Sequence, residues 1–412
     1  MKKMIMLMMI CLILTGLSAE QLIVLNSGSQ TLSLVNLVSQ SVNNSFSDAG
    51  LYGNQVYFVD TELWLVNSGD NNIQKIDCTT GNVLKTIQLE GSVNPWNVLK
   101  KDTFLYISGM MSGKVYRINI QNDEISSIDT GISPEGMLLF GNELFVANTG
   151  FQYPDYLQGK IAVINLSTFT KTADINVSVN PQAMIMASDG NIHVMCTGNY
   201  ASESGKIDVI NPGTKEVVQS VQIGGSPNSI IESPDHKVYL ADGMGAGFYV
   251  YDAVTKEIIH SNSNPYLPGG SKILFQNDKK LVLKTGNWVS NSHLEYINAD
   301  ESMIYDYSLG IGAVYLTFLI NPSTSDEITS VKPMLIDTYP NPFKSVVQIT
   351  SKNSDIKEIS IYNLKGEKIK TLENKEWNGY DQNGFRCPSG VYFVAAKTNA
   401  GITHTKKITY LR

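Results

Sequence analysis

Three observations predict an all-β chain, a seven-bladed β-propeller followed by a small Ig-like β-sandwich. The first is a recurring sentence of short strands and turns. In its clearest copy, Leu63 to Leu89, an apolar run (Leu63–Asn67) leads into Ser68-Gly69-Asp70-Asn71-Asn72. These turn residues tolerate positive φ or bond their own backbone. Ile73–Asp77 alternates apolar and polar as a half-buried strand should, Thr79-Thr80-Gly81-Asn82 turns again, and Val83–Leu89 resumes the alternation. The second observation is recurrence. Copies start at Leu22, Leu63, Leu105, Leu144, Ile192, Val238 and Leu281, at offsets of 41, 42, 39, 48, 46 and 43 residues. A period of about 40–45 residues with four strands per unit is that of propeller blades, which bury their sheets only by stacking round an axis. The third observation is that the repeat stops near residue 321, and residues 334–412 carry five strands at short spacing, as in a small sandwich.

In chain order, residues 1–19 read as a signal peptide. Lys2-Lys3 precede the apolar run Met4–Leu14, and Thr15-Gly16-Leu17-Ser18-Ala19 offers small residues for cleavage. The run is shorter than the ~20 residues of a spanning helix, and no later segment of the mature chain is expected to cross a bilayer. The formal charge of −7 becomes about −9 without Lys2 and Lys3, which argues against nucleic acid as a partner. Of the four cysteines, Cys11 lies in the leader, and the remaining Cys78, Cys196 and Cys387 are odd in number and scattered, which is neither a disulfide framework nor a zinc spacing.

The propeller is expected over residues 20–321. Five blades have a Pro before a further apolar run: Asn94-Pro95, Ser133-Pro134, Asn180-Pro181, Ser226-Pro227 and Pro268-Gly269. Pro suits the first residue of a strand, so each run is read as the inner strand of a blade. The first unit lacks one, and Ala313–Ile320 is a strand to spare. That strand is expected to close the ring against residues 22–46, which leaves no open edge. A polar linker, residues 322–333, precedes the last domain.

Two families are recognisable in these residues. The repeat over residues 20–320, with its L-Y-V-x-N-x-G and I-x-V-I-D stretches, resembles the YVTN-type seven-bladed propellers, a fold that hosts binders and enzymes alike. The tail resembles the type A C-terminal sorting domain of the type IX secretion system. The matching residues are Tyr339-Pro340-Asn341-Pro342-Phe343, the segment Ile361 to Gly366, Trp377-Asn378-Gly379, Pro388 to Phe393 with Gly390 and Tyr392, and the basic pair Lys406-Lys407. That resemblance implies the secretion machinery as a partner and a secreted or cell-surface, outer-membrane-associated location in a Gram-negative bacterium.

Motifs for chemistry are nearly absent. Gly109 to Lys114 is one residue short of a phosphate loop and joins two strands, so no helix N-terminus awaits a phosphate. No Gly-x-Ser-x-Gly elbow exists, and the five histidines are dispersed. The turns between second and third strands share a face with the blade crossovers, and the longest of them are aromatic. Phe151, Tyr153 and Tyr156 belong to one, Tyr200 to another and Trp288 to a third, with Trp96 just after a crossover Pro. Tyr and Trp on loops of a rigid scaffold suit a binding surface for protein or glycan. On this reading the chain is non-catalytic and needs no cofactor. The alternative is a lactonase-like hydrolase holding Ca²⁺ at the channel mouth with Glu135, Asn97, Gln182 and Asn228, where metal would polarise a carbonyl. A structural surface-layer component, needing no pocket, is the third possibility.

Overall fold

The computed structural model describes residues 20–243, 247–319, 336–351, 356–363, 368–398 and 403–411. The expected leader (1–19), the linker (322–333) and Gly366 lie outside the described residues. The chain divides into two compact units, Met1–Thr324 and Ser325–Arg412.

Among the described residues the first unit holds seven four-stranded antiparallel sheets, numbered here as blades 1 to 7 along the chain. Their inner strands follow one another round a ring. The second strand of each blade explains the packing. In Glu62–Asn67 of blade 2, Leu63 and Leu65 join a core cluster with blade 1, while Trp64 and Val66 join one with blade 3. A strand buried on both faces reads as a continuous apolar run. The third strand is also buried on both faces in blades 4 to 6, and only the fourth, furthest from the axis, is largely exposed because one face reaches water. Seven such clusters, one between each neighbouring pair of blades, make up the core of this unit.

Blade 1 takes its inner strand from the far end of the chain. Ala313–Leu319 pairs antiparallel with Gln21–Asn26, with Leu316 opposite Val24 and Leu319 opposite Gln21. Blade 2 has an inner strand the prolines do not announce. Gly53–Val59 fills that place, and Gly53 stands opposite Asn67 as Pro95 stands opposite Gly109 in blade 3.

The recurring Asn or Asp at the end of the third strand also has a physical reason. Asn36, Asp77, Asn119, Asn165, Asn211 and Asp252 each accept a backbone N–H two residues on through Oδ1, and so build the turn into the outer strand. At the end of the ring where the second strands begin, ion pairs join neighbouring blades: Lys100–Glu62 at 2.9 Å, Lys215–Glu143 at 2.7 Å and Lys256–Asp189 at 2.6 Å.

The second unit consists of a three-stranded sheet (Ile336–Tyr339, Val347–Ser351, Glu376–Trp377) and a four-stranded one (Lys368–Leu372, Ile356–Asn363, Gly390–Thr398, Thr403–Tyr410). Its core gathers Phe343, Trp377, Tyr392 and Tyr410 with Val347, Ile349, Ile361, Val394 and Ile408. The aromatic centroids lie 4.9 Å (Trp377–Tyr392) to 5.9 Å (Trp377–Tyr410) apart. Gly379, at φ 79°, allows Tyr410 to lie against its backbone, where a Cβ would come within 2.5 Å of the ring.

Two stability changes follow. Leu316→Ala in the closing strand should cost about 2–5 kcal/mol, read as a lower denaturant midpoint of the full chain. An unchanged midpoint would mean the ring does not depend on that strand. Gly379→Ala should destabilise the tail alone, because it combines a strained φ with a clash. Limited proteolysis should then clip the second unit while the first survives.

Candidate functional site

The inner strands enclose a cavity of ≈ 1130 Å³ along the axis of the first unit. Its lining follows the strand register. One ring, two positions before the residue paired deep in each blade, holds Asn54, Trp96, Glu135, Gln182, Asn228 and Val314. The next residue of each strand adds Gln55, Asn97, Ser229, Ser271 and Tyr315. The mouth is fixed by a repeated contact. A hydroxyl at the end of a second strand reaches the inner strand of the following blade. Ser108 Oγ donates to the Glu135 carbonyl at 2.6 Å, Thr197 Oγ1 to the Pro227 carbonyl at 2.7 Å and Thr285 Oγ1 to the Ala313 carbonyl at 2.6 Å, and Ser68 reaches Pro95 likewise. Hydroxyls that bridge blades hold the lining residues in place on rigid strands.

The structure brings several predicted residues together here. Trp96, Asn97, Glu135, Gln182, Asn228 and Trp288 all line the one cavity. The longest loop is a two-stranded ribbon, Phe151–Gln152 with Asp155–Tyr156. Its rings extend from the cavity rim. Phe151 and Tyr156 are 5.0 Å apart, Tyr156 and Tyr200 6.1 Å, and Gln182 Nε2 comes within 3.5 Å of the Tyr200 hydroxyl. Tyr153 stands apart from this row, 88% exposed at the ribbon tip.

Glu135 is the unusual member. It is only 5% exposed, and among the described residues no cation or hydrogen-bond donor reaches its carboxyl. Burial alone pushes its pKa up to about 8. The Asn97 side-chain carbonyl is also buried without a partner. The donor set Glu135, Asn97, Gln182 and Asn228 therefore offers one carboxylate that favours its proton, plus neutral amides. A hard divalent cation needs more anionic oxygen, and this set does not fit a tight Ca²⁺ site. Among the described residues no three His, Cys, Asp or Glu come together.

Other predicted residues have structural places. His193 is buried between Tyr251 (2.8 Å to the hydroxyl) and Asp189 (3.2 Å). Burial would push the Asp189 carboxyl up, but His193, Lys256 and Asn191 bond it and hold it well below the usual range. Met110 to Gly113 is the turn of a hairpin. In the tail, Tyr339 is 79% exposed beside the exposed Pro340 and Pro342. The Asn341 side chain accepts the Thr409 N–H at 2.9 Å, Phe343 and Tyr392 are core, Gly390 opens its strand opposite Tyr410, and Lys406 and Lys407 lie in the last strand.

One residue was not singled out by the motifs. Lys272, on the inner strand of blade 7, also lines the cavity, with its amine 5.0 Å from the Tyr315 ring. Burial brings its pKa down to about 8. The register signal was readable: Lys272 stands opposite Leu283 where Val98, Met137, Met184 and Ile230 stand in other blades.

The Glu135 environment makes stability depend on pH. The folded carboxyl keeps its proton up to about 8, whereas an unfolded one releases it near 4.5, so folding takes up a proton across that window. Stability therefore falls as pH rises through it. The melting temperature of the native chain relative to Glu135→Gln should fall from 4.5 to about 8 and then level. Parallel melting curves across the whole range would contradict the burial of an unpaired carboxyl.

Residues 337–410 match the family model described as the secretion system C-terminal sorting domain. No curated protein matches the chain. Similar solved structures include a quinoprotein alcohol dehydrogenase-like protein from Bacteroides thetaiotaomicron, at TM-score 0.55 and 12% identity over 73% of this chain and 78% of that one. They also include virginiamycin B lyase from Staphylococcus aureus, at TM-score 0.49 and 12% identity over 63% of this chain and 85% of that one. The first likeness is one of fold alone. Among the described residues no helix is long and apolar enough to cross a membrane. The chain is a β-propeller protein that carries a type IX sorting domain, and is secreted or held at the cell surface in association with the outer membrane of a Gram-negative bacterium.

Proposed function

We propose that this is a seven-bladed propeller of the YVTN type that binds a protein or glycan outside the cell without catalysis. Residues 1–19 direct it through the inner membrane, and the tail then directs it across the outer one. The observation that carries the reading is the convergence of Trp96, Tyr156, Tyr200 and Trp288 with amide side chains around one cavity mouth. Aromatic faces cover apolar surfaces of a ligand, and Asn54, Gln182 and Asn228 offer both donors and acceptors to hydroxyls or peptide groups. A purely structural surface-layer component has no use for such a mouth.

The test is a titration of the mature chain against purified surface polysaccharide, a glycan array and purified surface proteins of the same cell. Trp288→Ala and Tyr200→Ala should each weaken binding about tenfold or more, the ~2 kcal/mol of an aromatic anchor. Binding that survives both changes would put the ligand elsewhere. Deleting residues 334–412 should leave a folded propeller retained in the periplasm. If the truncated protein still reaches the surface, the tail is not the sorting signal.

A further inference from the structure

Two ionisable groups of opposite kind, one acid and one base, share the cavity. Glu135 belongs to blade 4 and Lys272 to blade 7, and in a ring of seven sheets no two blades stand further apart. They do not pair with each other. Burial is the dominant influence on both, Lys272 has only the Tyr315 ring beside its amine, and no ion pair of either one exists among the described residues. The other charges lining the cavity are engaged. Lys284 lies 3.4 Å from Glu295, and Asp242 accepts a hydrogen bond from Tyr249. Among the described residues, Glu135 and Lys272 are thus the two ionisable groups of the cavity left for a ligand to satisfy.

Each group is costly where it stands. A buried charge without a counter-charge destabilises a fold, and replacing it by an apolar or neutral residue of similar size is commonly neutral or stabilising. The other blades show that an apolar side chain fits the Lys272 register. Costly groups are retained where a ligand uses them.

We propose that the cavity binds a zwitterion, a short peptide with both ends free and long enough to span the ring. Its ammonium group meets Glu135 and its carboxylate meets Lys272. Asn97 lies next to the ring that holds Glu135, and its buried, unpartnered side-chain carbonyl accepts a second N–H of the same ammonium group. A volume of ≈ 1130 Å³ exceeds the roughly 300–1,000 Å³ of ordinary small-ligand pockets, so several residues of peptide fit. The inference rests on reading this cavity as a binding site and adds the ligand class.

The test is native mass spectrometry of the mature full chain after incubation with an enzymatic casein digest supplemented with neutral oligosaccharides. The expected result is retention of species with a free amine and a free carboxylate. N-acetylation or C-terminal amidation of the retained species should weaken binding at least tenfold, as should Glu135→Gln and Lys272→Met. Both variants should melt at or above the native temperature, so lost retention would not reflect unfolding. Retention of oligosaccharides alone would overturn the zwitterion and leave the cavity as a binding site. Retention of nothing would count against both. Peptide binding indifferent to capping or to both variants would also overturn the proposal.

Discussion

The antiparallel pair between Gln21–Asn26 and Ala313–Leu319 is the contact on which the first unit depends. Every blade packs a second strand that is apolar on both faces, so each needs a neighbour on either side. An open row would leave two such faces in water, and the strand supplied from the end of the repeat removes that defect. The core cluster between blades 7 and 1 is of the same kind as the other six, with Leu22, Val24, Leu283, Leu294 and Leu316 in contact. Closure also defines the cavity, because the inner strands line it only when all seven sheets surround the axis. The hydroxyl contacts from Ser108, Thr197 and Thr285 then tie the mouth residues of one blade to the next.

Two kinds of polar group sit in this framework. At the end remote from the mouth, Lys256 pairs with the partly buried Asp189 at 2.6 Å, and the buried His193 lies 3.2 Å from the same carboxylate. Such a network offsets its own burial cost through opposite charges and joins blades 5 and 6. In the cavity, Glu135 and Lys272 are buried or partly buried without that compensation. The contrast separates groups that serve the fold from groups that await something from outside. In the tail the same division is visible. Phe343, Trp377 and Tyr392 of the sorting motifs form the core, whereas Tyr339 is presented to solvent.

Much of this was legible in the sequence because the repeat writes its packing into its period. The strand-closing Asn and Asp residues, the crossover prolines and the spare strand at 313–320 each follow from local backbone requirements. Trp96, Glu135, Gln182 and Asn228 were placed on one ring by counting from the prolines, and they line one cavity. The same counting failed where the signal changed. Gly53 replaces Pro in blade 2, so its inner strand carried no marker. In blade 7 Pro268 falls one register position early, so counting from it misplaces Lys272. The ribbon at 151–156 was also missed, since two residue pairs are too few to show a period. Whether an aromatic lies at the rim or stands free, as Tyr156 and Tyr153 do, depends on contacts between blades that sequence spacing does not encode.

The central claim is that ligand enters the axial cavity of the first unit. The four tryptophans allow a direct measurement. Trp96 and Trp288 line the cavity, whereas Trp64 and Trp377 are buried in the cores of the two units. Acrylamide quenching of tryptophan fluorescence should be measured on the intact mature chain, free and saturated with a bound species. The account predicts that quenching falls to the level of the two buried tryptophans when ligand is bound. Quenching that is unchanged at saturation would show that the ligand binds elsewhere.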